Sequence, residues 1–275
     1  MVSRVTFLSL FMVRRKFFRF SNLEYMFISF LMSRWNTYEG MFIPELIILL
    51  PTKNEESGVA EVIDRIPVEN IRGKGFGCRI VVVDGDSSDS TCKVAKSKGA
   101  EIINQRGKMG KGNGFRQAID QLKVDSMGTG DLLVMLDADA TYSPELIPEF
   151  IDLLGECDVA WGSRIRGKIG DGAMTRTNLL GNKILSFLAS IVFLKRTSDL
   201  CTGYWGFRSE TLRNLPLSAK GFTLEADIFG SVAKSGVRTV EIPIDYSFRE
   251  GETNLKWYSD GPRILMMIIR KRFLG

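Results

Sequence analysis

The chain has 275 residues, 44% of them hydrophobic and 25% charged, which suits one large α/β domain or two small ones and argues against a disordered or low-complexity chain. It has no histidine, so histidine acid–base chemistry, the Ser-His-Asp triad and the usual zinc sites are excluded; carboxylates, basic side chains and a hard metal remain. The net charge of +5 is concentrated at the two ends, which leaves the body slightly acidic.

Residues 1–43 form a basic, aromatic N-terminal extension, with Arg4, Arg14, Arg15, Lys16, Arg19 and Arg34 against Glu24 and Glu39. The apolar run "VTFLSLFMV" is too short to span a bilayer, which takes about 20 residues. Its charges follow the run, the reverse of a signal peptide. Two readings remain, a leader without a fixed role or a segment lying on an anionic membrane surface. A nucleic-acid partner is not expected, because such a binder would carry its basic stripe on the folded body.

From residue 44 the pattern changes. "LIILL" (46–50), "RIVVVD" (79–84), "AEIIN" (100–104), "LLVMLD" (132–137) and "DVAWG" (158–162) read as buried strands. Helical spacing over 56–66, 89–98, 113–123 and 144–154 separates them, with Ser143 as a candidate N-cap ahead of Pro144. Alternating strands and helices predict a mostly parallel sheet wrapped by helices, with the ligand beyond the carboxyl ends of the strands. The five strands are followed by "PTKNEE", "DGDSSDS", "QRGKMGKGNG", "DADAT" and "GSR", so polar or glycine-rich loops are predicted to face one crevice. The four cysteines are widely spaced and contain no CxxC pair, which fits reduced thiols.

Asp137 and Asp139 are two residues apart and would share a face if both were in the strand. Two crowded carboxylates repel unless a cation separates them, and Mg²⁺ or Mn²⁺ suits an all-oxygen site. The competing reading is a loop whose acids face the dipole of the helix at 144. Lys108 and Lys111 in "GKMGKGNG" are placed to meet a diphosphate together with backbone amides, or else sit in a flexible surface loop. Asp84 is placed for a ribose or a base edge, and Asp89 for capping the next helix.

Taken in order, "PTKNEE", "VVDGDSSDST", "GKMGKG", "DADAT" and "GSR" resemble the inverting family 2 glycosyltransferases of the GT-A fold. "SDLCTGYWGFRSETL", "FTLEADIFGSVAKSGVRTVEIPIDYSFREGETNL" and "DGPRIL" narrow the resemblance to dolichol- and polyprenyl-phosphate sugar synthases. It implies a GT-A catalytic domain over 44–256 and a basic amphipathic helix over 257–275. The implied reaction moves a sugar, with inversion, from a UDP- or GDP-sugar to a polyprenyl or dolichyl phosphate at the cytoplasmic face of a membrane. Carried over by position, Pro51, Asn54, Glu55 and Glu56 border the nucleotide, Asp84 holds its base or ribose, and Lys111 lies nearby. Asp137 and Asp139 hold Mg²⁺ or Mn²⁺ on the diphosphate, while Arg164 and Arg249 align the acceptor phosphate.

The sequence departs from the family at several places. Gly85 stands where a second Asp is common, Thr141 where some members have a third metal ligand, and Asn254 where a lysine is usual, with Lys256 two residues on. Arg176 is a further phosphate candidate. Asp199 and Glu225 match acidic positions of open role. If the acceptor is instead a hydroxyl, Asp199 is the first candidate for its base; a non-catalytic nucleotide-sugar binder is the remaining alternative. The apolar helix expected over 178–195 is either core or lipid-facing, and a lipid acceptor favours the latter.

Overall fold

The apolar runs of the sequence become the centre of a seven-stranded sheet in the computed structural model of the chain. Described are residues 43–248 and 257–274. Residues 1–42, 249–256 and Gly275 lie outside them, and with them the expectations for the N-terminal extension, Arg249, Asn254 and Lys256. Residues from Pro44 onward cluster as one unit.

The elements run β1 (Glu45–Thr52), α1 (Glu56–Arg65), α2 (Val68–Gly73), β2 (Gly77–Asp84), α3 (Thr91–Ser97), β3 (Glu101–Asn104), α4 (Lys111–Gln121) and β4 (Leu132–Met135). Then come α5 (Ile147–Glu156), β5 (Val159–Ser163), α6 (Arg176–Phe193), β6 (Trp205–Arg208), α7 (Ser209–Leu212), α8 (Leu224–Ser235), β7 (Thr239–Pro243) and α9 (Trp257–Phe273). The sheet order is β3-β2-β1-β4-β6-β5-β7. β6 runs antiparallel to β4 and β5, and the other strands are parallel. The five strands read from the sequence therefore end at one edge.

β1 shows why such a run must be a central strand. Ile47 and Leu49 enter the core that holds Phe115, Trp205 and Phe229, while Leu46, Ile48 and Leu50 enter the core that holds Val59, Val62 and Phe150. Successive side chains point to opposite faces, and helices cover both. Full burial of each such side chain contributes roughly 1.5–3 kcal/mol. Trp161, Trp205 and Phe207 stack in series beneath the sheet, with ring centroids 5.2 and 6.1 Å apart.

Three local expectations change. β4 stops at Met135, and its continuation is a single bond from the Leu136 N–H to the Leu49 carbonyl (3.2 Å). Asp137 and Asp139 therefore sit in the loop after the strand, and strand alternation does not orient them. The Ser143 hydroxyl donates to the Glu145 carboxylate instead of capping a helix, because a 3-10 turn over Pro144–Leu146 precedes α5. β6 and β7 are absent from the pattern of apolar runs, being short and mixed in polarity.

The C-terminal part inverts the usual distribution. α6 turns Asn182, Ser186, Ala189 and Phe193 inward and leaves Leu180, Phe187 and Ile191 more than half exposed on its outer face, with Ile184 half exposed where it borders the cavity described below. α9 likewise exposes Met266, Ile269 and Phe273. α9 is fixed to α8 by the buried Lys271–Asp227 pair (2.6 Å), and the Lys271 ammonium also donates to the Pro216 carbonyl. Among the described residues, no helix is long and apolar enough to cross a membrane.

Candidate active site

Beyond the carboxyl edge of the sheet lies a cavity of about 1090 Å³. Asp137 and Asp139 both line it, and glycines on two sides bring the backbone close. A Cβ on Gly58 of α1 would lie 2.5 Å from the Ala138 carbonyl, and one on Gly203 would lie 2.2 Å from Asp137 Oδ2. The Gly203 N–H donates to the Tyr142 hydroxyl (2.8 Å), which fixes it beside the acid. Ala140 takes a left-handed φ of 59°, and Asp139 Oδ1 accepts from the Thr141 N–H (3.2 Å) and hydroxyl (2.6 Å). Thr141 thus serves as an anchor for Asp139.

The glycine-rich loop delivers one charge into this pocket. Lys111, the first residue of α4, places its ammonium 2.5 Å from Asp137 Oδ1 and 2.6 Å from Glu225 Oε1. Burial disfavours that charge, but the two carboxylates outweigh it and hold the ammonium above its ordinary pKa. Several of the amides around this loop are engaged. Gly110 donates to the Gln105 side chain, Gly112 to the Gly221 carbonyl, Asn113 to the Lys220 carbonyl and Gly114 to the Gly110 carbonyl. The Lys111 ammonium is the charge this loop presents to the cavity.

Across the cavity, Arg164 follows β5. Its Nε and Nη2 donate to the two oxygens of Asp199 (2.7 and 2.8 Å), and its backbone N–H donates to the same carboxylate (2.9 Å). Asn182 of α6 adds a further bond to Asp199 (2.5 Å), and the guanidinium lies over the Tyr246 ring, 5.1 Å from its centroid. Asp199 is fully buried. Burial opposes its charge, but Arg164 dominates and holds the carboxyl below the usual carboxylate range. A carboxylate so bonded is no general base for an acceptor hydroxyl; it orients Arg164. Cys201 also lines the cavity, yet burial, with Asp199 and Glu225 nearby, pushes its thiol up to about 12, so it is a poor nucleophile.

The lining changes character along the cavity. Lys53, Glu55, Lys111, Asp137, Asp139 and Arg164 gather at the strand edge, while Met174, Ile184, Leu185 and Leu188, with Ile264 and Leu265 of α9, form the far wall. Pro51 and Glu55 line the strand-edge part, as do Gly85 and Gln105. Asp84, Asn54 and Glu56 are not among the lining residues. Asp84 accepts from the Asp86 and Ser87 N–H groups, Asn54 from the Ser88 N–H, and Glu56 from the Ser90 N–H. Asn54 and Glu56 thereby knit the loops after β1 and β2 together, and Asp84 braces the turn of its own loop. Arg176 is exposed at the start of α6 and is likewise absent from the lining.

The family profile described as glycosyl transferase family 2 matches residues 47–215, which contain this edge of the sheet. The chain belongs to glycosyl transferase family 2. It is similar to the glycosyltransferase AglJ of Haloferax volcanii, 32% identical over 82% of this chain and 71% of that one. It is also similar to the dolichyl-phosphate hexose transferase of the same organism, 32% identical over 82% of this chain and 93% of that one. Among solved structures, glucosyl-3-phosphoglycerate synthase from Mycobacterium tuberculosis, in complex with Mn²⁺, UDP and phosphoglyceric acid, superposes with a TM-score of 0.65. That match is 16% identical and covers 84% of this chain and 80% of that one, so it bears on the fold, which is GT-A.

For this family 2 chain the donor chemistry fits a hard divalent ion. Asp137 and Asp139 offer oxygen alone, and a cation, the Lys111 ammonium, already sits on one of them. Among the described residues, no group of three or more His, Cys, Asp or Glu forms a ready metal site. The arrangement suits an ion that takes one or two carboxylates and completes its shell with phosphate oxygens and water.

Sequence reasoning missed Gly203, Asn182 and Tyr246. Asn182 and Ser186 were findable, being polar residues four apart within the run "NLLGNKILSFLASIVF". Gly203 and Tyr246 carry no such signal, because their importance is a contact across the fold.

Proposed function

We propose that the chain transfers a sugar from a nucleoside-diphosphate donor, UDP- or GDP-linked, to a polyprenyl or dolichyl phosphate with inversion at the anomeric carbon. The observation that carries this reading is the two-sided cavity, charged at the strand edge and apolar between α6 and α9. A prenyl phosphate has the matching shape and polarity. The hexose transferase of Haloferax volcanii, similar over most of its length, acts by name on dolichyl phosphate.

The donor diphosphate faces Asp137, Asp139 and Lys111, with its base toward Pro51, Glu55, Gly85 and Gln105. A Mg²⁺ or Mn²⁺ ion on Asp137 and Asp139 supplies Lewis-acid neutralisation of the leaving diphosphate. Arg164, set over the Tyr246 ring and locked by Asp199, directs its remaining N–H donors at the acceptor phosphate. Arg249 is assigned to the same phosphate. That phosphate, whose second pKa is near 6, is already a dianion at neutral pH, so alignment replaces a general base. Fixed cations at both charge-bearing centres are where large catalytic gains arise. The hydroxyl-acceptor reading loses its first base, because Asp199 has both oxygens engaged.

The exposed apolar faces of α6 and α9, with Arg270 and Arg272 exposed beside them, support contact with an anionic membrane surface. The basic extension 1–43 is assigned the same role, on the cytoplasmic face, beside a catalytic domain over 44–256 and the helix 257–275. The deciding assay mixes the full chain with polyprenyl phosphate in vesicles, a panel of UDP- and GDP-sugars, and Mn²⁺ or EDTA. Expected is a prenyl-phosphate sugar product that needs the ion and falls by about 10³ in Asp137→Asn, the scale of losing one transition-state stabiliser. Equal transfer to a water-soluble phosphate such as 3-phosphoglycerate, or full activity in EDTA, would overturn it.

A further inference from the structure

Lys111 occupies the carboxylate that the metal reading gives to the ion. We infer that Lys111 is a placeholder cation, tethered by Glu225, that keeps Asp137 closed to a divalent ion until the donor diphosphate draws the ammonium away. Metal binding is then contingent on the nucleotide. The inference rests on the proposed role of Asp137 and Asp139 and adds an order of events to it.

The geometry carries the argument. The ammonium lies between Asp137 Oδ1 (2.5 Å) and Glu225 Oε1 (2.6 Å), and both Lys111 and Glu225 have side chains at most 13% exposed. Asp137 itself is 30% exposed, yet a divalent ion and an ammonium on the one atom Asp137 Oδ1 would repel each other at contact distance. Glu225, from the first turn of α8, is not needed to neutralise Lys111, since Asp137 alone would do so. It gives the ammonium a second partner, which holds it in the pocket when the first is lost. The root of the side chain is fixed, because the Gly112 and Asn113 N–H groups are bonded to the Gly221 and Lys220 carbonyls. A Cβ on Gly110 or Gly112 would also strike Lys220 or Ala219 at 2.4 and 2.7 Å. Only the flexible four-carbon stem can move, and a diphosphate entering the cavity supplies a stronger anion within its reach.

Mn²⁺ binding, followed by electron paramagnetic resonance or calorimetry on the full chain with and without UDP, tests this without any turnover. Wild type is expected to bind Mn²⁺ weakly alone and tightly with UDP. Lys111→Met is expected to bind Mn²⁺ alone about tenfold more tightly, so that the gain on adding UDP shrinks. Lys111→Arg, which keeps the cation, is expected to stay weak, and Lys220→Met, which removes an exposed charge on the adjoining loop, to match wild type. If Lys111→Met does not fold, Lys111→Gln, with a polar head for the same gap, takes its place. The placeholder is refuted if Lys111→Met, or Lys111→Gln in its place, binds Mn²⁺ alone no better than wild type, if Lys111→Arg gains as much as Lys111→Met, or if Lys220→Met gains as much. In each of these cases, tight Mn²⁺ binding with UDP leaves the metal reading standing. No Mn²⁺ binding by any form removes both.

Discussion

β1 and α6 both border the cavity, and they distribute their apolar residues in opposite ways. β1 hides every side chain from Leu46 to Leu50 and reaches the cavity only with the Pro51 and Thr52 that follow. α6 buries Asn182 and Ser186 and leaves Phe187 64% exposed. The first wall is built against water and gains its stability from burial. The inner face of the second is organised by one carboxylate, Asp199, and its outer face offers surface that water does not reward. Hydrophobicity therefore tells where β1 goes but not which side of α6 faces inward; buried polar partners decide that.

This contrast can be broken at its polar pivot. Asp199→Asn leaves Arg164 buried without its counter-charge, and removing one partner of such a pair costs about 3–5 kcal/mol, readable as a lower urea midpoint. Its pH dependence has a definite sign. Because the folded carboxyl titrates below its ordinary value of about 3.9, the stability it contributes is complete above that value and is lost as the pH falls through the lowered one. The variant is expected to be weaker at neutral pH and to lose less further stability on acidification. An unchanged midpoint would mean that the α6 wall does not depend on this pair.

A test of the strand-edge wall is Gly203→Ala. The methyl group would lie 2.2 Å from Asp137 Oδ2, so the carboxylate must move. A displacement of about 1 Å at reacting groups costs on the order of 10² in rate. Transfer is expected to drop by that factor with near-native circular dichroism, and wild-type rates would show that Asp137 tolerates displacement. The smallest effect on stability is expected from Phe187→Ser combined with Ile191→Ser on the outer face of α6. Exposed substitutions usually stay within about 0.5 kcal/mol, so the melting temperature should hold while sedimentation with anionic vesicles falls. A large loss of stability would show that this face is core after all.

How much the sequence disclosed follows the same division. The strands β1 to β5 lie within two residues of where their apolar runs placed them, because burial on both faces of a parallel sheet demands such runs. Asp137, Lys111 and Arg164 were legible as strand-end and loop residues, and the structure brings them to one cavity. The pairing of Lys111 with Asp137 and Glu225, and of Arg164 with Asp199, was not legible, since it joins residues up to 114 positions apart only through folding. The resemblance implies a nucleotide role for Asp84, Asn54 and Glu56, and strand position implies the same for Asp84; here Asp84 accepts amides of its own loop, while Asn54 and Glu56 accept amides of the neighbouring one. Short loops full of Asp and Ser satisfy their own amides readily, and sequence spacing does not separate that duty from binding.

The Lys271–Asp227 pair has a consequence for the order in which the molecule is completed. Asp227 also accepts from the amides of Ser218 and Ala219, and the next carbonyls along, those of Lys220 and Gly221, brace the start of α4. The glycine-rich loop leaves the ribosome early, yet the last link of its support arrives with α9, the final helix described. A nascent chain released before that helix would hold every acid of the pocket and lack the splint beneath its lysine.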